Sequence, residues 1–103
     1  MELYTVETLS DRRYELLGAV TGSTVQSKNV FSDLGQNLKN IVGGELKAYT
    51  RMMESARETA TQRMVDAARN MGADAVLGVR YTTSSIMAQA AEVLVYGTAV
   101  RYL

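Results

Sequence analysis

The sequence predicts an α+β domain, a three-stranded antiparallel sheet with two consecutive helices, in chain order strand, two helices, two strands. Three observations predict it. Tyr14 to Val25 is rich in β-branched and small residues, as strands are. The middle of the chain repeats apolar residues at three- and four-residue steps, and its last third returns to extended apolar runs. No internal repeat, low-complexity tract or Gly/Ser/Pro-rich linker interrupts the chain, so residues 1–103 read as one domain.

The elements follow in order. Leu3 to Val6 is a short strand, and the polar stretch Thr8 to Arg13 is a turn. Within the strand Tyr14 to Val25, Gly18 and Gly22 lie four apart on one face; interior strand glycines mark a bulge, a bend or close approach of another backbone. Asn29 is an N-cap for a helix to about Ile41, with Phe31, Leu34, Leu38 and Ile41 along one face. Gly43 and Gly44 break it. Glu45 to Met71 forms a second helix, about 40 Å long at ~1.5 Å per residue, with Gly72 as its stop. Its apolar stripe is Tyr49, Met53, Ala56, Ala60, Met64, Ala67 and Met71; Glu54, Glu58, Gln62, Arg69 and Asn70 face solvent. The many alanines let this helix sit close to a sheet. Ala73 to Ser84 and Glu92 to Tyr102 then form an antiparallel hairpin.

Side chains alternate across a strand, so each strand has two readable faces. In the last strand, Leu94, Tyr96, Val100 and Tyr102 share one face and Val93, Val95 and Ala99 the other. In the preceding strand, Ala75, Leu77, Val79 and Tyr81 oppose Val76, Gly78 and Arg80. A sheet with one wet face alternates apolar with polar more cleanly than this. The helices cover one face, and too little chain remains for the other. Identical copies are the simplest cover, so a homo-oligomer is expected.

Composition excludes much chemistry. The chain has no Cys, His, Pro or Trp, and its 11 Lys+Arg balance 11 Asp+Glu. Zinc fingers, thiolate sites, disulfides and His-based triads are therefore absent. Zero net charge lacks the positive excess of a nucleic-acid binder, and no apolar run spans a membrane. The acidic start, Met1 to Glu7, does not read as a signal peptide, so a cytoplasmic location is expected. Adjacent helical methionines such as Met52 and Met53 point about 100° apart and are poor joint ligands. Glu54 and Arg57 can pair at i, i+3 on a solvated face. Thr82, Thr83, Ser84 and Ser85 offer hydroxyls without an evident base. Gly43-Gly44-Glu45 lacks both phosphate-loop spacings and reads as an elbow. No catalytic residue and no metal ligand is assigned.

Several segments resemble the YbjQ family, small bacterial proteins that carry a heavy-metal-binding label. They are Gly18-Ala19-Val20-Thr21-Gly22, Lys28-Asn29-Val30-Phe31 with Asp33, and Ile41-Val42-Gly43-Gly44. Tyr49, Ala56-Arg57 and Ala60 follow, then Gly72-Ala73-Asp74-Ala75-Val76 and Gly97-Thr98-Ala99-Val100. The resemblance spans Gly18 to Val100 and implies a dodecin-like subunit assembled into a ring, a pentamer. Related members often carry acidic residues after the Gly-Ala-Asp-Ala-Val segment, where this chain has Arg80 to Ser84. The expectation is a ring-forming structural or small-ligand-binding protein with any site between subunits, its cofactor unknown. Candidate ligand-binding residues are Tyr49, Glu54, Arg57, Arg80 and Tyr81, chosen for chemistry and, for Tyr49 and Arg57, for the resemblance. The alternatives are a metal site of oxygen ligands repeated around the ring, such as Asp33 or Glu54, and third an enzyme.

Overall fold

The computed structural model describes residues 1–27, 44–87 and 90–103. Four strands and one helix form the described part: β1 (Glu2–Leu3), β2 (Tyr14–Ser27), α1 (Gly44–Asn70), β3 (Ala75–Met87) and β4 (Ala90–Tyr102). The sheet order is β1-β3-β4-β2. β4 pairs antiparallel with both β2 and β3, whereas β1 pairs parallel with β3 through Glu2–Ala75 and Leu3–Val76. The expected three-stranded antiparallel sheet with two helices is therefore corrected to a four-stranded mixed sheet, with one helix among the described residues. The helix expected from Asn29 to Ile41, and Asp33 within it, lie outside those residues.

α1 lies where the apolar stripe placed it, within a residue at each end. Ala56, Ala60, Met64 and Ala68 are buried against Val20, Val76, Val79, Val93, Val95 and Ala99, with Met53 and Ala67 at the margin. Met71 lies one residue beyond the helix and is 39% exposed. Gly72 ends the helix at φ +83°, in the left-handed region, with its N–H on the Arg69 carbonyl and the Ala73 N–H on that of Ala68. The two β2 glycines divide the roles expected of them. Gly18 sits at a bulge between Leu16 and Gly18, at φ +137°. Gly22 is the close approach: a Cβ there would lie 2.1 Å from the Ala60 carbonyl oxygen.

A second bulge, between Leu77 and Arg80 with Gly78 at φ +63°, shifts the β3 faces. Val79 joins Val76 beneath α1, and Leu77 faces the other way with Val100. The expected grouping of Val79 and Tyr81 with Leu77 fails for this reason, because one extra residue inverts the alternation beyond it.

The second face is covered in part by this chain itself. Tyr4, Leu9, Tyr14 and Tyr102 pack over Ala75, Leu77 and Val100 and cover one end of it. The N-terminal segment is tied down by backbone bonds from Tyr4 to Val76, Val79 to Tyr4 and Gly78 to Val6. Beyond these, among the described residues, the face keeps exposed apolar side chains: Leu16 is 71% exposed, Val25 55% and Tyr96 43%. No helix among the described residues is long and apolar enough to cross a membrane.

Candidate functional site

Five α1 residues at helical spacing, Glu54, Arg57, Glu58, Thr61 and Gln62, stand along the flank of the helix nearest β3. Tyr81 rises from β3 to meet them, and together they line an open groove of about 690 Å³. The Thr61 hydroxyl donates to the Arg57 carbonyl at 2.7 Å, its one proton thereby committed. The phenol of Tyr81, 2.7 Å away, is accordingly the donor to Thr61 Oγ1. This bond fixes the ring on the groove floor while leaving Tyr81 47% exposed. The Gln62 amide is occupied by Asp66 Oδ1 at 2.9 Å. Glu54 and Arg57 do not pair as their spacing allows: neither takes part in an ion pair among the described residues. The groove thus presents two carboxylates, a guanidinium and an aromatic ring, which suit a small polar molecule bearing both donor and acceptor groups.

Of the five expected residues, Glu54, Arg57 and Tyr81 come together here. Tyr49 lies within α1, with its side chain outside the described part. Arg80 is elsewhere: its guanidinium donates to the Thr5 carbonyl at 2.8 Å and stands 4.0 Å from Glu7, clamping the N-terminal segment on the opposite face. Thr61 went unnoticed in the sequence, although its position four residues after Arg57 puts it on the same flank.

A second cluster was also missed. Tyr4 and Tyr102 both donate to Glu2 Oε2, the latter at 2.7 Å, and Arg12 stacks 3.6 Å over the Tyr102 ring. The two phenols, Tyr4 foremost, hold the Glu2 carboxyl below its ordinary range, and Glu2 in turn pushes the Tyr4 phenol up to about 12. This clasp joins the chain's two ends and is structural in character.

Fold and groove define a small α+β protein, with a helix laid on one face of a mixed sheet and a polar groove at the sheet's margin. The chain belongs to the family described as "Putative heavy-metal-binding", whose model matches residues 1–103. It is 55% identical over 103 residues to a UPF0145 protein of Clostridium novyi, covering 100% of both chains. A UPF0145 protein of Vibrio campbellii is 54% identical over 100 residues, 96% of each chain. One of Thermus thermophilus is 59% identical over 87 residues, 84% of this chain and 76% of that one. None of these relatives carries an enzymatic name. The fold matches a crystal structure of a protein of unknown function from the DUF74 family of Pediococcus pentosaceus, at TM-score 0.70 and 16% identity, over 100% of this chain and 98% of that one.

The family description raises a soft metal, and the donors present do not fit one. The chain holds no thiolate or imidazole. Among the described residues no three Asp or Glu converge where they could hold an ion. Of the thioethers, Met64 is fully buried as core.

Proposed function

We propose that the protein is a cytoplasmic homo-oligomer, a pentameric ring, that holds a small polar molecule in the Glu54–Arg57–Tyr81 groove at the boundary between copies. The observation that carries this reading is the groove's position. It lies against the part of β3 from Arg80 to Met87, for which no pairing partner on the outer side exists among the described strands. A neighbouring copy would close it. The second face, with Leu16, Val25 and Tyr96 exposed, supports association, and the ring size rests on the family resemblance. Glu54 and Glu58, one turn apart in the groove, are the oxygen donors a hard-metal alternative would use. An enzymatic role is less well supported, because both carboxylates are exposed and, among the described residues, no nucleophile with a base beside it lines the groove.

Native mass spectrometry of the purified protein tests the proposal. The expected result is a pentamer retaining a small molecule that is lost from Arg57→Ala and Tyr81→Phe variants while the ring mass stays. An 11.3 kDa monomer would overturn the assembly, and an empty ring would overturn the ligand.

A further inference from the structure

Two edges of the sheet lack a strand partner among the described residues. β2 pairs only with β4 there, so no described strand lies on its outer side along its 14 residues, although Arg63 reaches the Ser23 carbonyl. β3 is covered on its outer side by the N-terminal segment as far as Val79, and from Arg80 onward no described strand pairs with that side. Long unprotected edges are rare in monomers, which blunt them with proline, bulges or very short strands. Here the chain contains no proline at all, and between the β2 bulge at Gly18 and Ser27, and from Arg80 to Ser85 in β3, the pairing with β4 runs without a bulge.

The two edges also share a direction. Both β2 and β3 run antiparallel to β4, hence parallel to each other. A two-fold axis pairs like edges, β2 with β2, and leaves β3 bare. A rotation that repeats the subunit brings β3 of one copy beside β2 of the next, pairs the stretch of β3 from Arg80 with the half of β2 from Thr21 at every junction, and makes a ring where the rotation closes. We propose that copies join in this heterologous way, β3 from Arg80 onward pairing parallel with β2 of the neighbour, within two residues of level register. Level register follows the pairings through β4: Thr21 with Arg80, Ser23 with Thr82, Thr24 with Thr83 and Val25 with Ser84.

Charge fits this occupant. Arg63 reaches down over the β2 edge to the Ser23 carbonyl at 2.7 Å, while Glu58 overhangs the β3 side. Joining the edges brings the one toward the other and walls the groove with the neighbour's β2.

This inference rests on the oligomer reading, and a Cys-free chain makes it directly testable by cross-linking. The double variants Ser23→Cys/Thr82→Cys, Ser23→Cys/Ser84→Cys and Val25→Cys/Thr82→Cys sample level register and two residues either way on one face. Parallel strand neighbours lie within disulfide reach. The expected result is that one pair, oxidised, gives a ladder of covalent multimers ending at the ring, while single variants give none. Each reduced variant should run at the wild-type assembly mass. Covalent dimers from Ser23→Cys alone would establish a two-fold β2 contact and overturn the proposal. A ring with no pair linking would overturn the edge pairing while leaving the oligomer intact, and a wild-type monomer would overturn both.

Discussion

Replacing Gly22 by alanine should cost more than any other single methyl addition to the sheet. The added Cβ would stand 2.1 Å from the Ala60 carbonyl oxygen, 2.4 Å from the Met64 nitrogen and 3.0 Å from the Met64 Cα. All three are backbone atoms of α1, so no flexible side chain can swing away. The helix must lift by about an ångström, and the layer of Ala56, Ala60, Met64 and Ala68 over Val20, Val95 and Ala99 loosens with it. Overpacking of a core typically costs about 1–3 kcal/mol, and a rigid obstacle belongs at the upper end. A loss of about 3 kcal/mol is a large share of the ~5–15 kcal/mol that stabilises a domain. At about 4–8 °C per kcal/mol, Tm should fall by at least about 10 °C. Circular dichroism melts at one fixed protein concentration measure it, since Tm depends on concentration for any protein that self-associates. A Gly22→Ala protein melting within about 3 °C of wild type would refute the contact between helix and strand.

Gly72→Ala provides the contrast: nothing lies within 4 Å of its added Cβ, so only the φ of +83° opposes it, and about 1 kcal/mol should be lost in the same melt. The clasp makes a prediction in pH. Tyr4 is raised, so its bond to Glu2 contributes fully below the ordinary value of 10.0 and is lost as pH rises through about 12. Glu2 is lowered, so its contribution is present above 4.5 and is lost as pH falls through the folded-state value. In an absorbance titration one phenol should ionise late, vanish in Tyr4→Phe and return toward 10.0 in Glu2→Gln; titration of every tyrosine near 10 would contradict the clasp.

Local signals carried far in this sequence and non-local ones did not. The 3.6-residue stripe placed α1 to within a residue, because its stop, Gly72, is a local conformational requirement. The two faces of β4 were also legible, since Val93, Val95 and Ala99 do face α1 and Val100 does not. The Gly78 bulge was not, and it reverses every β3 assignment after Leu77. Nor was β1 legible as a parallel partner: two residues, Glu2 and Leu3, carry no periodicity, and their partners lie more than seventy residues away. The candidate site fared in the same way. Glu54 and Arg57 share a helix flank by spacing alone, whereas Tyr81 joins them only because the bulge turns it toward α1. Arg80 was separable from Tyr81 at once, because neighbours on a strand point to opposite faces.

Arg80 also connects the fold to the family's metal description. Its guanidinium holds the Thr5 carbonyl and approaches Glu7, which keeps the N-terminal segment over Leu77 and ends the covered part of β3 at Val79. A carboxylate at this position could do neither, since it would repel Glu7 and has no proton to give the carbonyl at neutral pH. The residue that makes this stretch of β3 poor in metal ligands is thus the one that sets where, among the described strands, its unpaired edge begins. Through that edge it governs both the room for a neighbouring strand and the open side of the groove. The chemistry this chain presents there is a row of hydroxyls, a phenol and exposed charges of both signs, none of them a donor that suits a soft cation.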